Sequence, residues 1–269
     1  MYSLPTEPGS IGNTLDAGFK LYAISFKRVL GMAILSILSV AVPVVAMVIG
    51  IAAVTGTGQE PAAAIIIMMV VGVLIALTFY LWFYLAAICR IGGIAYGQSF
   101  GFGACMSMSG RRLLAVIAGW FLYSLAMMGG FILLIVPGIF LSVSLSMFTL
   151  CILLEGDGVI ESLRHSFRLV WGNWWRAAIV GTVVLIIYYV ISLAIEIPFL
   201  VLNSILFDTE FGQQAGLAES LLSMVGSFLS AIVTFPLMIA AVIALFHDLK
   251  LRKEGHDLEA RVEALAVSA

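Results

Sequence analysis

Arginines are the side chains of this chain that are best placed to bind a ligand, because they recur in small groups beside long apolar stretches. A guanidinium grips a phosphate group through two parallel hydrogen bonds, and cations beside a membrane attract anionic lipid by about 1 kcal/mol each. This pattern predicts phospholipid headgroups as ligands, and the alternative is that the charges only fix the membrane topology. The candidate headgroup-binding residues are Arg28, Arg90, Arg111, Arg112, Arg164, Arg168 and Arg176.

Two carboxylates are the candidates for a polar site within the membrane. Glu196 lies well inside an apolar stretch, two residues before Pro198. An Asp, Lys or Arg at the centre of a span costs about 2.5–3.5 kcal/mol, so ionisable groups at such positions are commonly functional. The position of Glu196 therefore indicates a proton- or cation-linked site. The alternative is that Glu196 lies near the far membrane surface and has no such role. Glu155 ends another apolar stretch and is a candidate partner for Arg90.

Motifs for catalysis or metal binding are scarce. The histidines and cysteines show no His-x-x-x-His or Cys-x-x-Cys spacing, and no Gly-x-Ser-x-Gly motif is present. We therefore predict no metal site, no cofactor and, on balance, no enzymatic activity, with the cysteines as packing residues. An intramembrane lipid enzyme is a third hypothesis, and it requires a polar pocket that joins Arg90, Glu155, Asp157 and His165.

The composition places the chain in a membrane. Of its 269 residues 62% are hydrophobic and 10% are charged, whereas soluble domains have about 45–50% apolar and about 25% charged residues. Basic residues beside spans stay in the cytoplasm. Because the basic groups can all be placed on one side, we predict an inner-membrane protein with both termini in the cytoplasm. The loops assigned to the far side contain acids only, namely Glu60, Asp208, Glu210 and Glu219.

We predict one all-α membrane domain over residues 1–269, with six transmembrane helices arranged as three hairpins. A span needs about 20 residues. Residues 113–154 are apolar throughout and would form a helix about 60 Å long, so a turn is expected at Pro137-Gly138, with a re-entrant pair as the alternative. The predicted spans are 29–54, 62–89, 113–136, 138–154, 177–206 and 221–246, followed by a cytoplasmic tail at 247–269.

Amphipathic segments precede the hairpins. Residues 10–26 and 158–171 place apolar side chains on one helical face and end in cations, and 101–112 is a weaker version. These segments are predicted to be interfacial helices with their apolar faces in the headgroup boundary, or to pack on the cytoplasmic end of the bundle. Since each one opens a hairpin, the sequence also predicts a loose threefold internal repeat.

Four segments together resemble the YciC-like group of bacterial and archaeal membrane proteins. They are Ile135-Val-Pro-Gly-Ile139, Glu155-Gly-Asp-Gly158, the stretch from Ser162 to Arg176, and Asp248-Leu-Lys-Leu-Arg-Lys-Glu-Gly255. That group is similar to the membrane domain found beside glycerophosphodiester phosphodiesterases. The resemblance implies six helices and an inner-membrane location, but no settled activity. Phosphodiester hydrolysis is not implied, because the residues show no soluble phosphodiesterase barrel.

The sequence favours a non-enzymatic protein that organises or handles phospholipid at the cytoplasmic leaflet. The alternative is a small transporter or channel with a polar path near Glu196. The expected partners are membrane phospholipids. A second copy of the chain and other membrane proteins are further candidates, and no nucleic-acid partner is expected.

Overall fold

The computed structural model describes residues 4–55, 63–98, 100–207 and 216–268, and these are almost entirely helical, with no strand among them. The predicted all-α bundle is therefore confirmed. In chain order the elements are α1 (Ile11–Thr55), α2 (Ala63–Ala95), α3 (Phe102–Leu133), α4 (Ile135–Ser144), α5 (Phe148–Leu150), a π-helix (Cys151–Glu155), α6 (Val159–Val170), α7 (Trp174–Phe207) and α8 (Leu217–Ser268).

Six stretches of the described chain are long and apolar enough to cross a membrane. Large apolar side chains on their outer surfaces are exposed, among them Ile67, Leu114, Ile186 and Leu200. A contiguous apolar exterior of this kind suits hydrocarbon rather than water. The chain is a multi-pass membrane protein. Its candidate spans are Ile11–Met47, Ile66–Ala95, Phe102–Leu133, Ile135–Glu155, Trp174–Phe207 and Ala218–Lys253.

The helices pack as the three expected hairpins, α1 with α2, α3 with α4 and α7 with α8, and α1 also packs along α8. A carbon added at Gly18 of α1 would lie 3.0 Å from the Cα of Ala241 in α8, so these two backbones are in close contact. Arg112, Arg176 and Lys250 meet at one end of the bundle through the contacts described below, and we call this the basic end. The threefold repeat stays a prediction.

Two of the three predicted amphipathic segments are not separate helices. Residues 10–26 continue into the first span as α1, and residues 101–112 form the start of α3. The cations at Lys27 and Arg28 do not end α1, because both are good helix formers. Leu21, Ser25 and Val29 are fully buried, so this part of α1 packs on the bundle. The predicted tail at 247–269 is likewise a continuation of α8, to Ser268.

The hairpin between spans three and four is confirmed, but its turn lies earlier than predicted. The helix breaks at Leu134, which is extended (φ −169°, ψ 157°), and Pro137 sits in the first turn of α4. Proline is tolerated there because the first N–H groups of a helix need no intrahelical acceptor. The hairpin is tight, since a carbon added at Gly130 would lie 3.0 Å from the Cα of Gly138.

The predicted far-side loops fall mostly outside the described residues. Glu60, Asp208 and Glu210 are among the residues outside the described ranges, whereas Glu219 lies in the first turn of α8.

Candidate functional site

Helix α6 is docked on the basic end of the bundle through hydrogen bonds of Ser166. Ser162 and Ser166 are fully buried on one face of α6. The Ser166 hydroxyl donates to the carbonyl oxygen of Ser144 at 2.9 Å and accepts from the backbone N–H of Met147 at 3.1 Å. These groups lie where span four departs from α-helical geometry, so Ser166 satisfies backbone groups that the irregular segment exposes.

The opposite side of α6 forms a wall of a surface groove of about 740 Å³, which we call the α6 groove. Arg164 and Arg168 lie one helical turn apart in it and are exposed. Neither guanidinium forms a hydrogen bond or an ion pair with the residues that the structure describes. The groove thus combines free cations with an apolar surface, and its lining is Leu145, Ile160, Glu161, Leu163, Arg164, Phe167 and Arg168.

A second cavity, of about 480 Å³, lies in the membrane-spanning part between α4, α7 and α8, with walls also from α2 and α3. We call it the intramembrane pocket. Along α7 it extends from Trp174 to Leu185, about 16 Å of helix axis. Ser142 and Ser146 line it, but their hydroxyls already donate to carbonyls of their own helical turn at 2.7 and 2.8 Å. Because most of the remaining lining is apolar, the pocket suits hydrocarbon.

Aromatic contacts through Phe140 connect the linings of the two cavities. The ring of Phe140 lies 6.2 Å from that of Phe167 in the groove and 5.8 Å from that of Trp174 in the pocket. The indole Nε1 of Trp174 also donates to the carbonyl oxygen of Phe140 at 3.2 Å. In the chain, Leu145 of the groove directly precedes Ser146 of the pocket. The α6 groove and the intramembrane pocket are therefore neighbours around the end of α4.

Arg176, a predicted headgroup ligand, is held in an internal ion pair. Its Nε donates to Oδ2 of Asp248 at 2.7 Å. Its Nη2 donates to the carbonyl oxygen of Gly9 at 2.7 Å and to the hydroxyl of Thr14 at 3.0 Å. Arg252 donates to the same Asp248 oxygen at 3.1 Å and to the Gly9 carbonyl at 2.6 Å. We call these five residues the Asp248 cluster. Its hydrogen bonds tie the segment before α1 to α7 and α8.

Arg112 and Glu155 also have partners within the protein. Arg112 donates to the carbonyl oxygen of Gly156 at 3.1 Å, which ties α3 to the turn before α6. Glu155 accepts from Nζ of Lys250 at 2.8 Å, rather than from Arg90 as the sequence suggested. These two contacts fix the loop that precedes α6.

The remaining arginines of the predicted set lie apart from the α6 groove. Arg28 and Arg111 are exposed on α1 and α3. Arg90 is half-buried near the end of α2, and its Nε is buried without a hydrogen-bond partner among the described residues. Of the seven predicted arginines, Arg164 and Arg168 line the same cavity, the α6 groove.

Glu196 is half-buried on α7, about 16 Å along the helix from the last pocket residue, Leu185. The buried Ser192 lies one turn before it. Further along, the buried Asn203 donates to the Ser223 hydroxyl of α8 at 2.9 Å. Glu196 and Glu155 belong to different regions of the bundle and do not form a single polar site.

Residues 91–248 match the model of a protein family described as a domain of unknown function (DUF7847). The match covers more than half of the 269 residues. The chain belongs to this family. The DUF7847 region begins at Ile91 near the end of α2 and ends at Asp248, so it contains all of α6 and the acid of the Asp248 cluster.

No curated protein and no solved structure gave a significant match. The resemblance to the YciC-like group is not tested by the DUF7847 match and stays a prediction.

The DUF7847 region also contains a cluster that the sequence predicts only in part, since the enzyme hypothesis groups Asp157 with His165 but does not include Cys151. Cys151, Asp157 and His165 each offer a ligand atom, and these atoms lie within 4.8 Å of one another. Their separations in the chain, six and eight residues, fit no regular metal-binding motif. A signal was present in the glycines Gly156 and Gly158 on either side of Asp157, which indicate a turn that can bring the ends of the segment together. The prediction of no metal site rests on the absence of regular motif spacings alone.

Proposed function

We propose that the protein binds phospholipid in the leaflet next to its basic end, with the headgroup in the α6 groove and an acyl chain in the intramembrane pocket. The observation that supports this most directly is the adjacency of the two cavities. One offers free guanidinium groups and the other an apolar lining, and the ring of Phe140 contacts Phe167 of the first and Trp174 of the second. A phospholipid is an amphipathic ligand with the same division into anionic and apolar parts.

The depth of the pocket fits one leaflet. The hydrocarbon core of a bilayer is about 30 Å thick, and the pocket follows α7 for about 16 Å from Trp174 to Leu185. Tryptophan favours the boundary between hydrocarbon and headgroups. Trp174 lines the pocket, and the next residue, Trp175, is strongly exposed. Trp174 and Trp175 thus suit the level of the interface, and the pocket then reaches about the midplane.

The hydrogen-bonding state of the arginines supports the choice of Arg164 and Arg168 as headgroup ligands. Arg112 and Arg176 already donate to protein oxygens. Arg164 and Arg168 keep all their donors available to a ligand, as far as the described residues extend. A guanidinium with free donors binds a phosphodiester through two hydrogen bonds, and apolar Phe167 and Leu163 lie beside it for the glycerol and upper acyl carbons.

Orientation follows from charge in this proposal. The basic end faces the cytoplasm of the inner membrane, because Lys and Arg beside spans are retained there. The protein then binds lipid of the cytoplasmic leaflet, as an organiser or handler of phospholipid rather than an enzyme. A transport path through Glu196 is less favoured, since that residue lies outside both the groove and the intramembrane pocket.

The test is lipid binding by the purified full-length chain in nanodiscs of zwitterionic lipid with increasing fractions of phosphatidylglycerol. We expect a preference for the anionic lipid. R164A/R168A should weaken that preference by about tenfold or more, since each cation contributes about 1 kcal/mol. The matched control is K27A/R28A, which removes two exposed cations of α1 that do not line the α6 groove.

Two results would contradict the proposal. One is equal affinity for zwitterionic and anionic lipid in the unmodified protein. The other is an equal loss of anionic preference in R164A/R168A and K27A/R28A, which would assign the effect to overall charge rather than to the α6 groove.

A further inference from the structure

A cysteine, an aspartate and a histidine converge beside α6, outside the linings of the groove and the pocket. The imidazole Nδ1 of His165 lies 2.6 Å from Oδ2 of Asp157. The thiol of Cys151 completes a group of three ligand atoms that all lie within 4.8 Å of one another. Cys151 is free and fully buried, whereas His165 and Asp157 keep 29% and 17% of their side-chain surface exposed. The cluster therefore has a buried floor and a side that is open to water.

The local fold is organised around this convergence. Cys151 begins the π-helix, a form that is rare and frequent at functional sites. The π-helix ends at Glu155, and the next residue, Gly156, turns the chain back with a positive φ of 82°. The carbonyl oxygen of Cys151 accepts from the N–H of Gly156 and, at 3.2 Å, from that of Asp157. Arg112 holds the same turn from α3. The irregular backbone thus places Asp157 over the cysteine and directs α6 so that His165 reaches both.

We propose that Cys151, Asp157 and His165 bind a divalent transition-metal ion of the zinc class. Thiolate, imidazole and carboxylate are the ligands that zinc takes in proteins, at about 2.3, 2.0–2.1 and 2.0–2.2 Å. Ligand atoms in a tetrahedral site with those bond lengths lie about 3.3–3.6 Å apart. The Nδ1 atom of His165 and the Oδ2 atom of Asp157, 2.6 Å apart, must separate by about 0.7 Å as the cation takes the place of the shared proton, and the sulfur of Cys151 must approach by up to about 1.2 Å.

The charges suit a divalent cation. Cys151 binds as a thiolate and releases its proton to solvent, as metal ligation by cysteine requires. Together with the Asp157 carboxylate it carries two negative charges, which balance the cation. The neighbouring carboxylate of Glu155 is paired with Lys250 at 2.8 Å and adds no unbalanced charge.

A nucleophilic role for Cys151 is the competing chemistry, because a thiol beside a histidine–aspartate pair resembles a catalytic arrangement. The sulfur must then be reached by a substrate, yet Cys151 has no exposed surface. A buried thiol can still bind a metal ion, because the ion can enter from the exposed side of His165 and Asp157. With three protein ligands, a fourth coordination position is left for water or an anionic oxygen.

The experiment is metal binding by the purified, reduced full-length protein. Titration with Zn²⁺ in competition with a chromophoric chelator should give one bound ion per chain. Substitution with Co²⁺ should produce a thiolate-to-cobalt charge-transfer band, which reports a sulfur ligand without any mutation. C151S, D157N and H165Q should each weaken Zn²⁺ binding by at least about tenfold. Loss of a residue that only supports a metal ligand already lowers affinity by about 10–100-fold, and loss of a ligand itself should cost no less.

The matched control is C105S, because Cys105 is also a free, fully buried cysteine and is not part of the cluster. It should leave the stoichiometry and the cobalt band unchanged. Absence of the band in the unmodified protein, or Zn²⁺ binding that survives all three ligand substitutions, would overturn the proposal. Neither result bears on the proposed lipid binding, because Cys151, Asp157 and His165 line neither the α6 groove nor the intramembrane pocket.

Discussion

Arg176 and Asp248, 72 residues apart in the chain, form an ion pair with an N···O distance of 2.7 Å, and their side chains are 16% and 8% exposed. The carboxylate also accepts from Arg252 and from the backbone N–H of Gly9. Burial removes both charges from water, so each depends on its partner. This contact therefore stabilises the fold at the basic end and withdraws Arg176 from ligand binding.

Replacing Asp248 with Asn should destabilise the protein strongly. The substitution keeps the shape of the side chain but leaves Arg176 and Arg252 without their counter-charge, and breaking a buried pair from one side costs about 3–5 kcal/mol. Thermal unfolding in detergent measures the loss. D16N is the control, because Asp16 pairs with Lys20 on the surface, with more than 60% of both side chains exposed, and surface pairs contribute about 0–1 kcal/mol. Equal melting temperatures for D248N and D16N would contradict the assignment.

Ser166→Ala should loosen the docking of α6. The Met147 N–H and the Ser144 carbonyl lose their hydroxyl partner in a buried place, at a cost of about 1–3 kcal/mol. Hydrogen exchange along α6 should then accelerate. Ser162→Ala is a matched control, because Ser162 is equally buried on the same face but donates only within α6, to Val159. Faster exchange in both variants to the same degree would show that the inter-element bonds of Ser166 are not what holds α6.

Gly181→Leu should displace lipid from the intramembrane pocket. Gly181 lines that pocket and has no atom within 4 Å of an added Cβ, so a leucine side chain can extend into the cavity without a backbone clash. Native mass spectrometry should show less co-purified phospholipid per chain. Gly31→Leu is the control, since Gly31 is exposed on α1 and is similarly free of neighbours. Unchanged lipid retention in Gly181→Leu would argue against an acyl chain in the pocket.

Gly130→Ala should force α3 and α4 apart. The new methyl group would lie 3.0 Å from the Cα and 3.2 Å from the nitrogen of Gly138, and backbone atoms cannot turn away as a side chain does. Overpacking of this kind costs about 1–3 kcal/mol, which thermal unfolding detects. Gly129→Ala, one residue earlier and with open space around the added carbon, should be neutral or slightly stabilising through helix propensity. The hairpin description fails if both variants melt alike.

The helical character and the number of spans could be predicted because they depend on local apolar content. Their boundaries could not, because packing decides them. Lys27 and Arg28 marked the predicted start of a span, yet α1 runs through them and buries Val29 against the bundle. Pro137 marked a turn, but a proline in the first helical turn needs no N–H partner, so the break moved to Leu134.

The candidate site was predictable only in part, for a similar reason. Arg164 and Arg168 share a local helical face, and the sequence places them together. The pairing of Arg176 with Asp248 joins distant segments and follows from tertiary packing alone. The convergence of Cys151 with His165 depends on a π-helix and on a turn at Gly156. Hydrophobic periodicity predicts α-helices and strands, but it predicts neither a π-helix nor such a turn.

The intramembrane pocket has walls from separate hairpins, α4 from one and α7 with α8 from another. No single turn therefore sets its width. An outward movement of the α3–α4 pair would widen the intramembrane pocket without separating α7 from α8. A molecule diffusing in the plane of the bilayer would then enter sideways, keeping its hydrocarbon tail among apolar surroundings for the whole passage.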